Sequence, residues 1–167
     1  ALWGDAATDL TISEGDRVIV EEVVPCRSCV RCTSGRYRMC ISHRRYGSTP
    51  LSVPPGLWGG YSQYMYLDPR SVLRRVPADL DAHLATLFIP LSNGFGWLRD
   101  AGELRAGDDV VIVGPGQHGL GCVVAARAMG CGRLVVVGRP EDEARLGLAG
   151  ELGADLAGRS GLGLDHH

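Results

Sequence analysis

The run DVVIVGPGQHGLGCVVAARAMGCGRLVVVGR, from Asp109 to Arg139, narrows the possible folds of this chain more than any other stretch. Val110 to Val113 is a short apolar run of the kind that makes a buried strand. Gly114, Gly116 and Gly119 follow as G-x-G-x-x-G, an alanine-rich segment from about Gln117 to Met129 predicts a helix, and Leu134 to Val137 repeats the strand pattern. Three glycines at this spacing are weak evidence alone, since a tight turn and close packing can account for them. Between a strand and a helix they gain meaning, because there they let a pyrophosphate approach backbone at a helix N-terminus. Gly114, Gly116, Gln117, His118 and Gly119 are therefore the candidate cofactor loop.

The end of the second strand should select the nucleotide. An NAD site usually places an acid there for the ribose 2'-hydroxyl, whereas this chain has Gly138 and Arg139. Glycine removes a carboxylate that would repel a 2'-phosphate, and arginine offers a forked cation to hold one, so NADP is favoured over NAD. Glu141 or Asp142 reaching the ribose instead, or a merely solvated Arg139, are the competing readings.

Four of the six cysteines, Cys26, Cys29, Cys32 and Cys40, fall within one short stretch as C-x2-C-x2-C-x7-C. Two short steps wrap backbone around an ion, and a longer loop through Gly35 returns the fourth thiolate. Four sulfurs leave no open position, so zinc here would be structural. An iron–sulfur site is the rival, but its bacterial run ends C-x3-C-P, and here the last step is x7 with Ile41 following. From Val23 to Leu67 the chain has no acid, while Arg27, Arg31, Arg36, Arg38, Arg44 and Arg45 cluster in and beside the cysteines. Compensation of a negative zinc–thiolate centre is one reading; a nucleic-acid surface is the alternative.

The remaining sequence divides in texture. Arg17–Val24, Tyr61–Leu67 and Val72–Val76 are β-type runs broken by turns, which suggests a small β-barrel-like domain over 1–81. A helical pattern, DLDAHLATLFIPLSNGFGWLRDAG, opens a second domain over 82–167. The expected fold class is mixed β and α/β. A net charge of -2 and a charged share of 22% are ordinary for a globular protein. No apolar run approaches the ~18 residues that span a bilayer. A cytoplasmic protein without a membrane partner is expected, and nucleic acid is not the favoured ligand.

Together, GDRVIVEEVVPCRSCVRCTSGRYRMC, GGYSQYMYL and GPGQHGLG resemble the medium-chain, zinc-containing alcohol and polyol dehydrogenases from about Gly15 to Asp155. The resemblance implies a GroES-like domain lacking its N-terminal part, then a Rossmann domain lacking its C-terminal part. It further implies hydride transfer between an alcohol or carbonyl substrate and NAD(P) beside a second, catalytic zinc, in a protein that forms homo-oligomers when full-length. The departures are specific. The family's catalytic-zinc cysteine and G-H-E segment have no counterpart here, and alignment puts Ile89 where a third ligand is expected. Catalytic residues stay unassigned, and the chain alone is expected to be inactive. The segment LAGRSGLGLDHH after Asp155 reads as a poor strand. His43 and His83 read as structural, and Cys122 and Cys131 as packed thiols.

Overall fold

The computed structural model describes residues 12–159. The chain divides between Ala85 and Thr86 into two compact units. In the first, which carries the short helices α1 (Val30–Thr33) and α2 (Ala82–Ala85), β1 (Val18–Val20) pairs antiparallel with β4 (Leu73–Arg75), and β2 (Val23–Val24) pairs with β3 (Arg44–Arg45). The expected strand Arg17–Val24 is thus two strands parted at Glu21–Glu22, where the backbone passes from one partner to the other. The Glu21 N–H donates to the Val72 carbonyl and the Glu22 carbonyl accepts the Tyr46 N–H, while both side chains face neighbouring arginines.

The expected strand Tyr61–Leu67 does not form. The Ser62 hydroxyl donates locally to the Gly59 and Tyr64 carbonyls, at 3.2 and 2.5 Å, and local bonds of this kind compete with a ladder. Tyr61 and Tyr64 point to solvent. What this segment does supply is Tyr66, whose ring stands edge-on to Trp58 at 5.2 Å. Trp58 is the largest fully buried side chain among the described residues. Its Nε1–H donates to the Val53 carbonyl at 2.9 Å, Tyr46 packs beside it, and the Arg44 guanidinium lies 5.2 Å from its ring centroid. A small lobe with few ladder bonds is organised around one aromatic anchor.

In the second unit, α3 (Phe88–Gly96) continues into a wider π turn, Trp97–Ala101. Pro90 is tolerated because it lies in the first turn of α3, where its missing N–H has no intrahelical acceptor. The chain then runs β5 (Val110–Val113), α4 (Gln117–Ala128), β6 (Leu134–Gly138), α5 (Glu143–Glu151) and β7 (Leu156–Arg159). The three strands are parallel, in the order β5-β6-β7. The expected helical run 79–102 is interrupted: α2 (Ala82–Ala85) ends before α3 begins. The segment after Asp155, read as a poor strand, does pair with β6, with Leu156 opposite Val135 and Ala157 opposite Val136. Asp155 explains the pairing, because its carboxylate accepts the Leu134 N–H at 2.7 Å and meets Arg127 at 2.5 Å, fixing the register before the strand starts. Residues 160–167 of that segment lie outside the described residues.

Val110, Ile112, Leu134 and Val136 turn to one face of the sheet and pack with Val123, Ala126, Leu146 and Ala149. The alternate residues point to the other face, where Val111, Val113 and Leu156 are 65%, 83% and 62% exposed. Apolar residues on both faces are the mark of a parallel sheet covered on both sides.

Helices α3 and α4 meet backbone to backbone. A Cβ on Gly94 would stand 2.6 Å from the Gly121 carbonyl oxygen, and one on Gly121 would collide with the Pro90 carbonyl. Gly96, two residues along the same helix, has nothing within 4 Å of such a Cβ. Gly94→Ala should therefore destabilise the unit by about 1–3 kcal/mol, since neither backbone can step aside. Gly96→Ala should be neutral or stabilising by up to about 1 kcal/mol. Urea unfolding of the two variants side by side measures this, and equal stabilities would show that the helices do not meet as described.

Candidate functional site

The glycine loop sits between β5 and α4, and its three glycines have three different reasons to be glycine. Gly114 adopts φ +95°, a left-handed conformation that other residues avoid. A Cβ on Gly119 would strike the Gly114 carbonyl, so its bare Cα is what lets α4 close on the strand. Around Gly116 there is open space, with nothing within 4 Å of a Cβ. Turn, close packing and open approach are the three parts such glycines play around a pyrophosphate. Gly116 is also the N-cap of α4 and offers no side-chain cap, so the first-turn amides of the helix have no side-chain acceptor.

His118 lies in that first turn, half-buried, with its ring edge-on to Trp97 at 5.3 Å. Its Nδ1 is buried without a hydrogen-bond partner, the one such side-chain atom among the described residues. A lone polar atom of this kind beside an open loop fits a site that expects a polar ligand. Gln117, exposed at the start of α4, also borders an apolar cleft of about 350 Å³ with Pro90, Leu120 and Leu148, whose lining has too little polar surface to hold phosphates.

At the end of β6, Gly138 is buried against Pro115, whose Cδ would stand 3.0 Å from a Cβ there, and against Leu146. A Cβ here would press these side chains by a few tenths of an ångström, so packing also favours glycine at this position, a contribution that sequence reasoning missed. Arg139 points outward and pairs with Glu141 at 3.0 Å. Asp142 accepts the Arg139 backbone N–H at 3.1 Å, and chiefly for that reason its carboxyl is held below the usual carboxylate range. Arg145, to which no motif pointed, also reaches Asp142, at 3.1 Å.

In the first unit, Cys26, Cys29, Cys32 and Cys40 converge, with all four sulfurs within 4.8 Å of one another. They form the single cluster of three or more metal-type ligands among the described residues. The loop between the first two turns at Arg27, which takes φ +63° at a cost of about 1–2 kcal/mol for a non-glycine residue. The return to Cys40 turns at Gly35, φ +81°. Backbone N–H groups of Cys26 and Cys29 donate to the sulfurs of Cys40 and Cys26, at 3.4 and 3.3 Å. A hydrogen bond from the Ser28 hydroxyl, followed by backbone N–H groups, pulls the Cys26 thiol down to about 5. Loss of hydration pushes the Cys32 thiol up to about 12. No disulfide forms between them.

The arginines around the cysteines are largely engaged. Arg38 faces Glu21 and Glu22 at 3.8 Å, Arg45 pairs with Glu22 at 2.8 Å, Arg44 covers Trp58, and Arg27 donates to the Arg70 carbonyl at 3.2 Å. The acid-free stretch is answered by acids just upstream of it. His43 is half of a local pair with Arg45, His83 is exposed, Cys122 lies in the core of the α/β unit and Cys131 accepts from Arg127. Ile89 is half-buried in the first turn of α3. No described helix is long and apolar enough to cross a membrane.

Residues 4–78 match the alcohol dehydrogenase GroES-like domain family. A probable alcohol dehydrogenase of Mycobacterium tuberculosis is 46% identical over 150 residues, 87% of this chain and 41% of that protein. An erythritol/L-threitol dehydrogenase of Mycolicibacterium smegmatis is 34% identical over 152 residues, 91% of this chain and 40% of that protein. The crystal structure of an alcohol dehydrogenase from Thermotoga maritima superposes with a TM-score of 0.78 at 31% identity, covering 89% of this chain and 41% of that one. The chain thus spans about two fifths of the length of these relatives. Over the part that it spans, the chain belongs to the medium-chain alcohol and polyol dehydrogenase family.

Proposed function

We propose that the chain is part of an NADP-dependent, zinc-containing oxidoreductase acting on an alcohol or carbonyl substrate, that it supplies the dinucleotide loop and a structural zinc lobe, and that the full-length protein is a cytoplasmic homo-oligomer. The observation that carries the cofactor reading is the division of labour among Gly114, Gly116 and Gly119, which leaves one open approach to the N-terminus of α4. When bound, the nicotinamide accepts or returns a hydride. The chain's own residues bind and orient it. Uncapped amides of α4 receive the pyrophosphate, the free Nδ1 of His118 offers a polar contact beside it, and Arg139 receives the 2'-phosphate. On this reading the α/β unit is the first part of a Rossmann domain, and the domain boundary lies near residue 82.

The cysteine cluster fits zinc. Four sulfurs within 4.8 Å cannot all be thiolates without a cation between them, and their N–H···S contacts are the outer-shell support a thiolate site uses. Free thiols so close together also fit a reducing compartment. No second ligand set is found among the described residues, and Ile89 has no donor atom, so these residues do not fit a catalytic zinc.

The purified chain should contain about one zinc per molecule, and Cys32→Ser should lose it together with several kcal/mol of stability, because zinc binding and folding of such a lobe are one free energy. Elemental analysis and thermal unfolding check this; iron in place of zinc, or a Cys32→Ser variant with unchanged zinc and melting temperature, would overturn it.

Arg139→Ala should weaken NADP about tenfold to a hundredfold, as loss of a charge-assisted hydrogen bond does, and leave NAD nearly unchanged. Calorimetric titration of both nucleotides decides it, and equal losses would mean that Arg139 does not read the 2'-phosphate.

The zinc-loaded chain by itself should not reduce NADP with primary, secondary or polyol alcohols, since a four-sulfur site has no open position for an alkoxide. The matched control is Gly116→Val, whose side chain enters open space without disturbing the fold. Turnover that appears in the first sample and disappears in the second would contradict the reading.

A further inference from the structure

Arg139 does not wait empty-handed. Its Nη1 lies 3.0 Å from Glu141 Oε1, and both side chains are exposed, at 71% and 60%. Asp142 beside them differs in kind: its side chain is 8% exposed and its two oxygens are divided between two arginines. Oδ2 accepts the Arg139 backbone N–H at 3.1 Å and faces Arg139 Nε at 3.6 Å, while Oδ1 accepts Arg145 Nη1 at 3.1 Å. The buried carboxylate is tied into the turn Pro140–Asp142 that starts α5 and cannot leave without breaking it. The exposed one can leave, because a solvent-exposed ion pair is weak. Asp142 thus brings two guanidinium groups to one carboxylate, and planar forks of this kind suit an anion with several oxygens.

We propose that Glu141 is an internal stand-in for the nucleotide 2'-phosphate, occupying Arg139 in the empty site and displaced on binding, while Asp142 presents Arg139 and Arg145 as the two arms that receive the phosphate. The proposal rests on the reading of Arg139 as the 2'-phosphate residue and adds two determinants to it. Glu141 lowers affinity for phosphorylated nucleotide in two ways: it competes for the Arg139 fork, and it repels a group carrying a charge of about -1.5 to -2. Asp142 repels the same phosphate less, since its charge is already shared among the Arg139 amide and both guanidiniums. Arg145, its side chain 61% exposed, keeps Nη1 on Asp142 and turns the rest of its guanidinium fork to a ligand.

The test is calorimetric titration of the chain and its variants with adenosine 2',5'-bisphosphate, and with adenosine 5'-monophosphate as the ligand that lacks the reporting phosphate. Glu141→Gln should bind the bisphosphate roughly threefold to tenfold more tightly, as release of an exposed pair allows, with the monophosphate unchanged. The gain should shrink as salt is raised from 0.05 to about 0.5 M, because the competition is electrostatic. Arg145→Gln should weaken the bisphosphate by about tenfold and spare the monophosphate. Both side chains are exposed, and circular dichroism confirms that the variants keep the fold. Unchanged or weaker bisphosphate binding by Glu141→Gln, in a protein where Arg139→Ala still loses it selectively, would overturn the stand-in and leave the NADP reading intact. No selective loss of the bisphosphate in Arg139→Ala, or no monophosphate binding by the parent chain, would overturn both.

Discussion

The close approach of α4 to the backbone around it is the constraint on which the α/β unit depends. On one side Gly119 brings the helix against the Gly114 carbonyl, and on the other Gly121 brings it against Pro90 and Gly94 of α3. A helix buried on two sides has no room for large residues, which is why its interior positions are Gly121, Cys122, Val123, Ala125 and Ala126. The same tight seating fixes where its N-terminus points. An anion site made of backbone amides is only as well placed as the helix that carries them, so the glycines that look like packing devices also set the geometry of the candidate cofactor loop. Pro115 completes the arrangement by wedging against Gly138, so the tip of β5 and the end of β6 are held together where a dinucleotide would cross them.

The cysteine lobe is built on the opposite principle. Its two sheets are two-stranded and short, and isolated ribbons of that size are marginal in water. Side chains take over: Trp58 with its aromatic neighbours, Glu21 and Glu22 with the arginines, and Asp68 with Arg70 at 3.0 Å. Arg70 is what chiefly lowers the Asp68 carboxyl below its ordinary value. A lobe of this kind gains most from an ion that ties four points of a loop together, since each ligand removes conformational freedom that no ladder would otherwise remove.

What the sequence revealed and what it hid follow from the range of the interactions. The strand–turn–helix–strand unit and the cysteine spacing are local patterns, so the positions of β5, α4 and β6 and the convergence of four sulfurs could be read from residue order. The strand at Tyr61–Leu67 looked equally local, yet the Ser62 hydroxyl and the demand of Trp58 for an edge-on ring decided against it. β7 was hidden for the converse reason, because its pairing depends on Asp155 reaching Leu134, a contact between residues far apart in the chain. Gly138 shows a third kind of gap: residue order showed a missing carboxylate, and only the structure shows that Pro115 and Leu146 also crowd the place of a side chain. Arg145 carried no motif at all, and only the structure shows that it shares the buried Asp142 with Arg139.

The two candidate sites divide the work of a dehydrogenase unevenly. A four-sulfur centre is coordinatively closed, so it can stabilise a lobe but cannot polarise an oxygen. On the proposed reading, the glycine loop and the charged end of β6 bind and discriminate a nucleotide, and neither carries a ligand set for a metal that would polarise an alcohol. Binding energy collected at a site remote from the reacting atoms still bears on catalysis, because it holds a nicotinamide in place while the chemistry happens elsewhere. The residues of this chain are therefore suited to recognition and support. On the same proposed reading, selection between 2'-phosphorylated and unphosphorylated cofactor would rest on a few exposed charges around one buried aspartate, and would change by single substitutions without disturbing the core beneath.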